Sequence, residues 1–305
     1  MEYKAPIEAY TGVVREETIG KGEKVLKIGG ENALPFHFFD EGSFPNAPSF
    51  ALEVLDMEPE DWAEHLIEPF KDVISDPVKW AKRCEDFDVD AVCLHLVSTD
   101  PAVKDSPADE AAALTKRVAE AINVPLLVYG SGDDKKDAEV LPKVAEICDG
   151  MNLLIGPVLK ENYEVVGKAI LEHGHLAWAE TPLDINLLKE LNVKLCHFMP
   201  PERIVIDPES TAVGYGMEYS FSLMERVKQL GVIVKDSMTQ MPMIANLGKE
   251  CWKTKQAMEN KEQGLLWEGV TALSLVLAGA NILVLRHPET LKLVKETIGG
   301  EIWQK

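Results

Sequence analysis

The sequence predicts an α/β fold, a (β/α)8 barrel of TIM type with a short amino-terminal extension. Short apolar runs recur, and each ends in a polar or acidic residue. Helix-like amphipathic stretches separate them, and the runs number eight. Ser49–Asp56, Ala91–Asp100, Leu126–Ser131, Met151–Pro157, His175–Thr181, Ile204–Ser210 and Asn281–His287 are clear. The eighth lies at Val232–Asp236 or at Met243–Leu247. Brief continuous apolar runs alternating with amphipathic segments are the pattern of buried parallel strands and their crossover helices. In such a barrel the binding face lies at the carboxyl ends of the strands.

Residues 1–46 stand outside the repeat and carry Gly29-Gly30, Pro35, the aromatic run Phe36-His37-Phe38-Phe39 and a turn-prone stretch from Asp40 to Asn46. They read as an extension, a strand or hairpin capping the amino end of a barrel over 47–305. The aromatic run alternatively offers a subunit contact. Pro59–Arg83 is longer than one crossover and is expected to hold a helix plus extra loop. Ser106-Pro107 followed by Asp109 and Glu110 reads as an N-cap, a first-position proline and first-turn acids ahead of Ala111–Ile122. Thr181-Pro182-Leu183-Asp184 opens the next such helix in the same way. Met217–Leu230 and Pro288–Ile298 are further amphipathic segments. Gly269–Leu285 runs 17 residues without a charge, near the lower limit for a membrane span. Gly279, Ala280 and Asn281 interrupt it, so a buried helix turning into a final buried strand is the better reading.

Thirty-one basic residues against 51 acidic ones give a formal charge of −20. That field repels nucleic acid and anionic membrane, and neither is an expected partner. The 5 cysteines, at 84, 93, 148, 196 and 251, form no CxxC pair, which argues against a zinc or iron–sulfur site on this chain. With no secretory leader read, a reduced cytoplasmic protein is expected.

Strand-end residues are the candidates for chemistry. They include Glu53 and Asp56, His95 with Ser98-Thr99-Asp100, Tyr129-Gly130-Ser131-Gly132, Gly156-Pro157, Glu180-Thr181, Asp207-Pro208-Glu209-Ser210, Asn246 and Arg286-His287. Acids converging on one mouth can hold a hard cation or act as general acid and base; they equally serve as helix caps. His95 alternates with Cys93 and Val97 and reads as a satisfied core histidine. His173-Gly174-His175 has the wrong spacing for two ligands on one helical turn. Gly130-Ser131-Gly132 either brings backbone amides near a phosphate or propionamide or makes a tight turn. The loop Asp207–Tyr219, with Gly214 and Gly216 around Tyr215, either covers a flat ligand, docks a partner or simply joins strand to helix. No GxSxG, HExxH, P-loop or GxGxxG fingerprint occurs.

A set of segments in order carries a resemblance. It comprises Ile28-Gly29-Gly30 with Leu34-Pro35-Phe36, Phe44-Pro45-Asn46 with Leu52–Asp56, and Leu94–Pro101. Thr181–Asn186, the stretch from Asp207-Pro208 to Glu225-Arg226, and Cys251-Trp252 complete it. With these the chain resembles, nearly end to end, the small (delta) subunit of the corrinoid iron–sulfur protein of the acetyl-CoA decarbonylase/synthase system. The resemblance implies a heterodimer in which a larger chain carries the iron–sulfur cluster and the corrinoid (cobalamin) domain. The barrel mouth then lies against the corrinoid and shelters its reactive face. It also implies a methyl group received from methyltetrahydropterin through a methyltransferase and passed to acetyl-CoA synthase/CO dehydrogenase.

The residues agree with that division of labour. There is no cysteine set for a cluster and no Asp-x-His-x-x-Gly of the kind that supplies a lower cobalt ligand. No residue here needs to be a nucleophile, so no independent catalysis is expected. By strand-end position, Ser98, Thr99, Tyr129, Ser131, Thr181, Asp207 and Asn246 are the candidates to face the corrin and its amide side chains. Two other readings stay open. A pterin-dependent methyltransferase on the same barrel would recruit Asp184, Asp207 and Asn246. A metal-dependent aldolase or lyase would use Glu53, Asp56, Glu180 and Asp207.

Overall fold

A computed structural model describes residues 3, 7–34 and 41–299. An antiparallel hairpin, β1 (Glu17–Lys21) and β2 (Lys24–Ile28), comes first. Eight parallel strands follow: β3 (Ser49–Leu55), β4 (Ala91–His95), β5 (Leu126–Tyr129), β6 (Leu154–Val158), β7 (Leu176–Glu180), β8 (Ile204–Asp207), β9 (Ile244–Ala245) and β10 (Ile282–Leu285). Neighbours in sequence pair from β3 through β8, and β10 lies between β3 and β9. A single bridge, Ile206 to Met243, joins β8 to β9 and completes the ring. Among the described residues the helices are α1 (Glu64–Ile67), α2 (Pro77–Cys84), α3 (Ala108–Ala121), α4 (Asp134–Ile147), α5 (Tyr163–Glu172) and α6 (Ile185–Cys196). They continue as α7 (Met217–Gln229), α8 (Gly248–Cys251), α9 (Lys255–Glu259), α10 (Lys261–Ala278) and α11 (Pro288–Ile298). The barrel expected from the cadence is the fold.

Side-chain alternation divides the core in two. Ala51, Cys93, Leu127, Tyr129, Leu154, Trp178, Val205, Ile244 and Val284 fill the barrel interior. The intervening positions, such as Leu52, Leu94, Val128 and Ile155, pack outward under the helices. Gly156 makes room for the largest interior residue, since a Cβ there would sit 2.5 Å from the Trp178 carbonyl oxygen. The hairpin lies at the amino end. Ile19 and Ile28 join the interior cluster, and the Gly20 amide donates to the Asn152 carbonyl at 2.7 Å. A buried knot fastens this end, where the Lys228 ammonium pairs with Glu31 and donates to Asn281 Oδ1 at 3.0 Å. Asn281 in turn accepts from the Met243 amide at 2.9 Å. Gly279, at φ 107°, gives the lysine stem its path.

Several expectations shift. The eighth strand is the Met243–Leu247 candidate, reduced to Ile244–Ala245; the rival segment is a π-helical turn, Leu230–Val234. The second strand ends at His95 rather than running to Asp100. Asp56 accepts from both the amide and the hydroxyl of Ser98 and folds Val97–Thr99 into a 3-10 turn. Ser106 is not a cap: α3 starts at Ala108 behind Pro107, and the Ser106 amide donates back to Ser98. Asp184, not Thr181, caps α6. Pro59–Arg83 does hold helix and loop, and Gly269–Leu285 does turn from α10 into β10. No described helix is long and apolar enough to cross a membrane. The aromatic run Phe36–Phe39 lies outside the described residues.

His175 shows how tightly the scaffold is tied. It is fully buried, accepts from the Leu153 amide through Nδ1 at 3.1 Å and donates from Nε2 to the Ala145 carbonyl at 3.0 Å. The bond accepted at Nδ1 needs the neutral ring, and burial, outweighing the Ala145 bond that the charged ring could also make, lowers its pKa to about 4. The unfolded chain takes up that proton near pH 6.5. Stability is therefore complete above about 6.5 and falls as pH drops toward 4, by about 3 kcal/mol from this residue. Denaturant melts of His175→Gln and the parent chain are expected to converge toward pH 4; parallel curves would contradict the assignment.

Candidate functional site

The inward-facing alternation that fills the interior brings one polar residue from nearly every strand to the carboxyl-end mouth. Glu53 follows Ala51 on β3, His95 follows Cys93 on β4, and Tyr129 follows Leu127 on β5. Glu180 follows Trp178, Asp207 follows Val205, Asn246 follows Ile244 and Arg286 follows Val284. The ring of groups is a consequence of strand parity.

Glu53 is a fully buried charge. Its carboxylate pairs with Arg286 Nε on one side and accepts from His95 Nδ1 at 2.7 Å on the other. Burial alone would push this carboxyl up, but Arg286 and then His95 outweigh it and hold it well below the usual carboxylate range. The His95 ring packs edge-on against Tyr129, and Tyr129 leans on Trp178, with ring centroids 5.1 and 5.0 Å apart. The Tyr129 hydroxyl donates to Glu180 Oε2 at 2.8 Å and accepts from Lys249 Nζ at 2.9 Å. Burial and the adjacent Glu180 keep this phenol protonated far into the alkaline range. Trp178 Nε1 donates to Asp207 Oδ2 at 2.9 Å, while Asp207 Oδ1 accepts from the Glu209 amide. Burial first and Glu180 second push the Asp207 carboxyl upward.

The seven strand-end candidates divide according to where their hydrogen bonds go. Ser98 is spent on Asp56, and the Thr99 hydroxyl donates to the Leu96 carbonyl at 2.7 Å. Ser131 is spent on Asp137, which accepts its amide, its hydroxyl and the Gly132 amide between 2.8 and 2.9 Å. The Gly130-Ser131-Gly132 segment is thus the tight-turn alternative, with its amides engaged inside the chain. A Cβ on Gly130 would collide with the Asp137 carboxylate. Tyr129 and Asp207 meet in the network just described. Thr181 and Asn246 differ from the rest. Both are buried, yet the Thr181 hydroxyl and both polar atoms of the Asn246 amide have no hydrogen-bond partner. The neighbouring Ser210 hydroxyl is in the same condition.

Asn246 and Ser210 line a recess of about 210 Å³ with Glu180, Asp207, Glu209, Thr211, Lys249 and Glu250. Beside it lies a larger, mainly apolar cleft of about 520 Å³, walled by Leu55, Met57, Trp62, Val97, Trp252 and Met258. Arg286 floors it and stacks on Trp62 at 4.8 Å. The Asp207–Tyr219 loop is pinned to α10, with the Trp267 Nε1 donating to the Val213 carbonyl and the Val213 amide donating to the Thr271 hydroxyl. Among the described residues no three His, Cys, Asp or Glu side chains are placed to hold a metal ion. Lys249, Trp178 and Asp137 were missed by strand-end reasoning. Trp178 is legible from parity. Lys249 lies four residues beyond β9 and Asp137 eight beyond β5, in the following helices, where no periodic signal marks them.

A family model described as CO dehydrogenase/acetyl-CoA synthase delta subunit matches residues 16–297. The chain is 35% identical to acetyl-CoA decarbonylase/synthase complex subunit delta 1 of Methanosarcina thermophila, over 98% of this chain and 73% of the relative. It is 36% identical to the subunit delta of Methanopyrus kandleri, over 95% and 74%. Among solved structures, 7,8-dihydropteroate synthase from Vibrio fischeri ES114 superposes with a TM-score of 0.59 at 13% identity, covering 93% of this chain and 99% of that one. Dihydropteroate synthase from Xanthomonas albilineans gives 0.58 at 14%, covering 83% and 93%. At such identities the structural likeness speaks to the barrel fold alone.

Arg286→Met tests the electrostatics of the mouth. It leaves Glu53 buried without its main counter-charge, and is expected to cost about 3–5 kcal/mol at pH 7. Without Arg286 the carboxyl takes up a proton more readily, so the deficit narrows as pH falls toward 4. Urea melts across that range check both points; a deficit independent of pH would contradict them.

Proposed function

This chain belongs to the CO dehydrogenase/acetyl-CoA synthase delta-subunit family, and from that premise we propose that it is the barrel subunit of a heterodimeric corrinoid iron–sulfur protein. Its partner is the larger subunit, which carries the corrinoid and the iron–sulfur cluster. The pair takes a methyl group from methyltetrahydropterin by way of a methyltransferase and delivers it to acetyl-CoA synthase/CO dehydrogenase in the cytoplasm of an anaerobe. Residues 1–46 act as the extension and 47–305 as the barrel that meets the corrinoid.

The observation that carries this reading is the state of the mouth. Its buried acids are already engaged: Glu53 by Arg286 and His95, Asp56 by Ser98, Asp137 by Ser131 and Gly132, and Asp207 by Trp178 and the Glu209 amide. Of the buried strand-end groups, those without a partner are neutral, the Asn246 amide and the hydroxyls of Thr181 and Ser210, while Glu209 stands exposed at the recess. A lyase built on a metal would need free carboxylates. A large neutral ligand fringed with amides needs an aromatic floor and neutral polar groups. Tyr129 and, beneath it, the fully buried Trp178 form the aromatic layer under the mouth. Asn246 and Thr181 meet the amides, Tyr129 and Asp207 form the adjoining wall, and Ser98, Thr99 and Ser131 shape the loops that face the ring.

The corrinoid supplies the metal nucleophile that accepts and releases the methyl group. This chain's part is to bind one face, orient it and exclude water. The apolar cleft beside the recess extends the water-excluding surface, and Arg286 is kept from it as a free charge by its pairing with Glu53.

Anaerobic isolation of the chain with its native partners, followed by intact-complex mass and a visible spectrum, tests the proposal. The expected result is a larger companion with corrinoid and iron–sulfur absorption. A colourless, self-associated chain that binds methyltetrahydropterin would replace it with the methyltransferase reading.

A further inference from the structure

The recess between β8 and β9 holds an unpaired group of definite chemistry. Asn246 is 3% exposed, and neither its carbonyl oxygen nor its amino nitrogen finds a partner within the protein. Buried side-chain polar atoms are nearly always bonded, and leaving one unpaired costs about 1–3 kcal/mol. Here a donor and an acceptor on the same planar group are both idle, and the Ser210 hydroxyl lining the same recess is idle with them.

We propose that this recess is a subsite for a neutral planar group carrying an N–H donor and a carbonyl acceptor side by side, a primary carboxamide or a cyclic lactam. The amide of Asn246 pairs with such a group in a two-bond ring, its oxygen accepting and its nitrogen donating. The surroundings select against charge. Glu180, Asp207, Glu209 and Glu250 line the recess with Lys249 as its one cation, and Lys249 is already committed to the Tyr129 hydroxyl. A carboxylate would meet these acids, whereas an amide meets Asn246 with both atoms matched. At about 210 Å³ the recess takes one such group or a small ring, not a macrocycle. Two sources offer this chemistry: an amide side chain of a corrin, and the lactam edge of a reduced pterin. The inference deepens the reading above and rests on it for the choice of the mouth as the binding face.

Titration of the full chain, followed by calorimetry and Trp emission, separates the cases. The probes are cobinamide, the heptamethyl ester of the same corrin, which is neutral but lacks the N–H donors, and tetrahydropterin. Binding of cobinamide, at least about tenfold weaker for the ester and for Asn246→Ala, supports the subsite with corrin as its source. Binding of the pterin alone, lost in Asn246→Ala, supports the subsite and removes the corrin reading. Equal binding of cobinamide and ester, or binding unchanged in Asn246→Ala, overturns the subsite and leaves the corrin reading standing. Absence of all binding overturns the subsite, while the companion and spectrum of the isolated complex still decide the corrin reading. A second readout needs no ligand. Asn246→Leu removes an unpaired amide and is expected to raise the Tm of the free chain; a lowered Tm with cobinamide or pterin binding intact overturns the proposal.

Discussion

The mouth of this barrel depends on one buried carboxylate. Glu53 stands on the first barrel strand and ties itself to His95 on the second and Arg286 beyond the last, across the seam where β10 returns to β3. A buried charge is tolerated only when its partners are fixed, so the interaction dictates the positions of both neighbours. His95 then sets the tilt of Tyr129, and Tyr129 rests on Trp178, whose N–H holds Asp207. Six strands are tied by one chain of contacts. Glu268 on α10 reinforces it from behind, accepting from the Arg286 and His287 amides.

That arrangement explains why the mouth is acidic in composition yet offers few free acids. Each carboxylate with a structural partner has lost its capacity to bind a cation or move a proton. The groups left idle are the amide and hydroxyls on the far side of the ring, between β7 and β9. The neutral groups left idle are the feature from which the proposed recognition of a neutral surface is argued. This fits a subunit that shelters a reactive group held by another chain, and the family to which the sequence belongs is one of complex subunits.

Much of this was legible beforehand, and the reasons are physical. Parallel strands buried on both faces leave continuous apolar runs, so seven of the eight announced themselves. The eighth has two residues in its ladder, Ile244 and Ala245, too few to outweigh the equally apolar Val232 segment. Strand ends located Tyr129, Asp207 and Asn246 because parity carries side chains inward at those positions. Ser98 and Ser131 were found by the same logic but serve their own loops, since which partner a hydroxyl takes depends on Asp56 and Asp137, 42 and 6 residues away. Lys249 was invisible. It reaches Tyr129 from the short α8, across 120 residues of sequence, and no local pattern encodes that contact.

The most direct test of the central claim is amide hydrogen exchange on the free chain and on the chain within its native complex. If the mouth faces the partner's corrinoid, protection on assembly concentrates in the carboxyl-end segments 97–106, 207–217 and 246–253. Protection confined to the amino-end hairpin 17–28, with the mouth exchanging as in the free chain, would contradict the account.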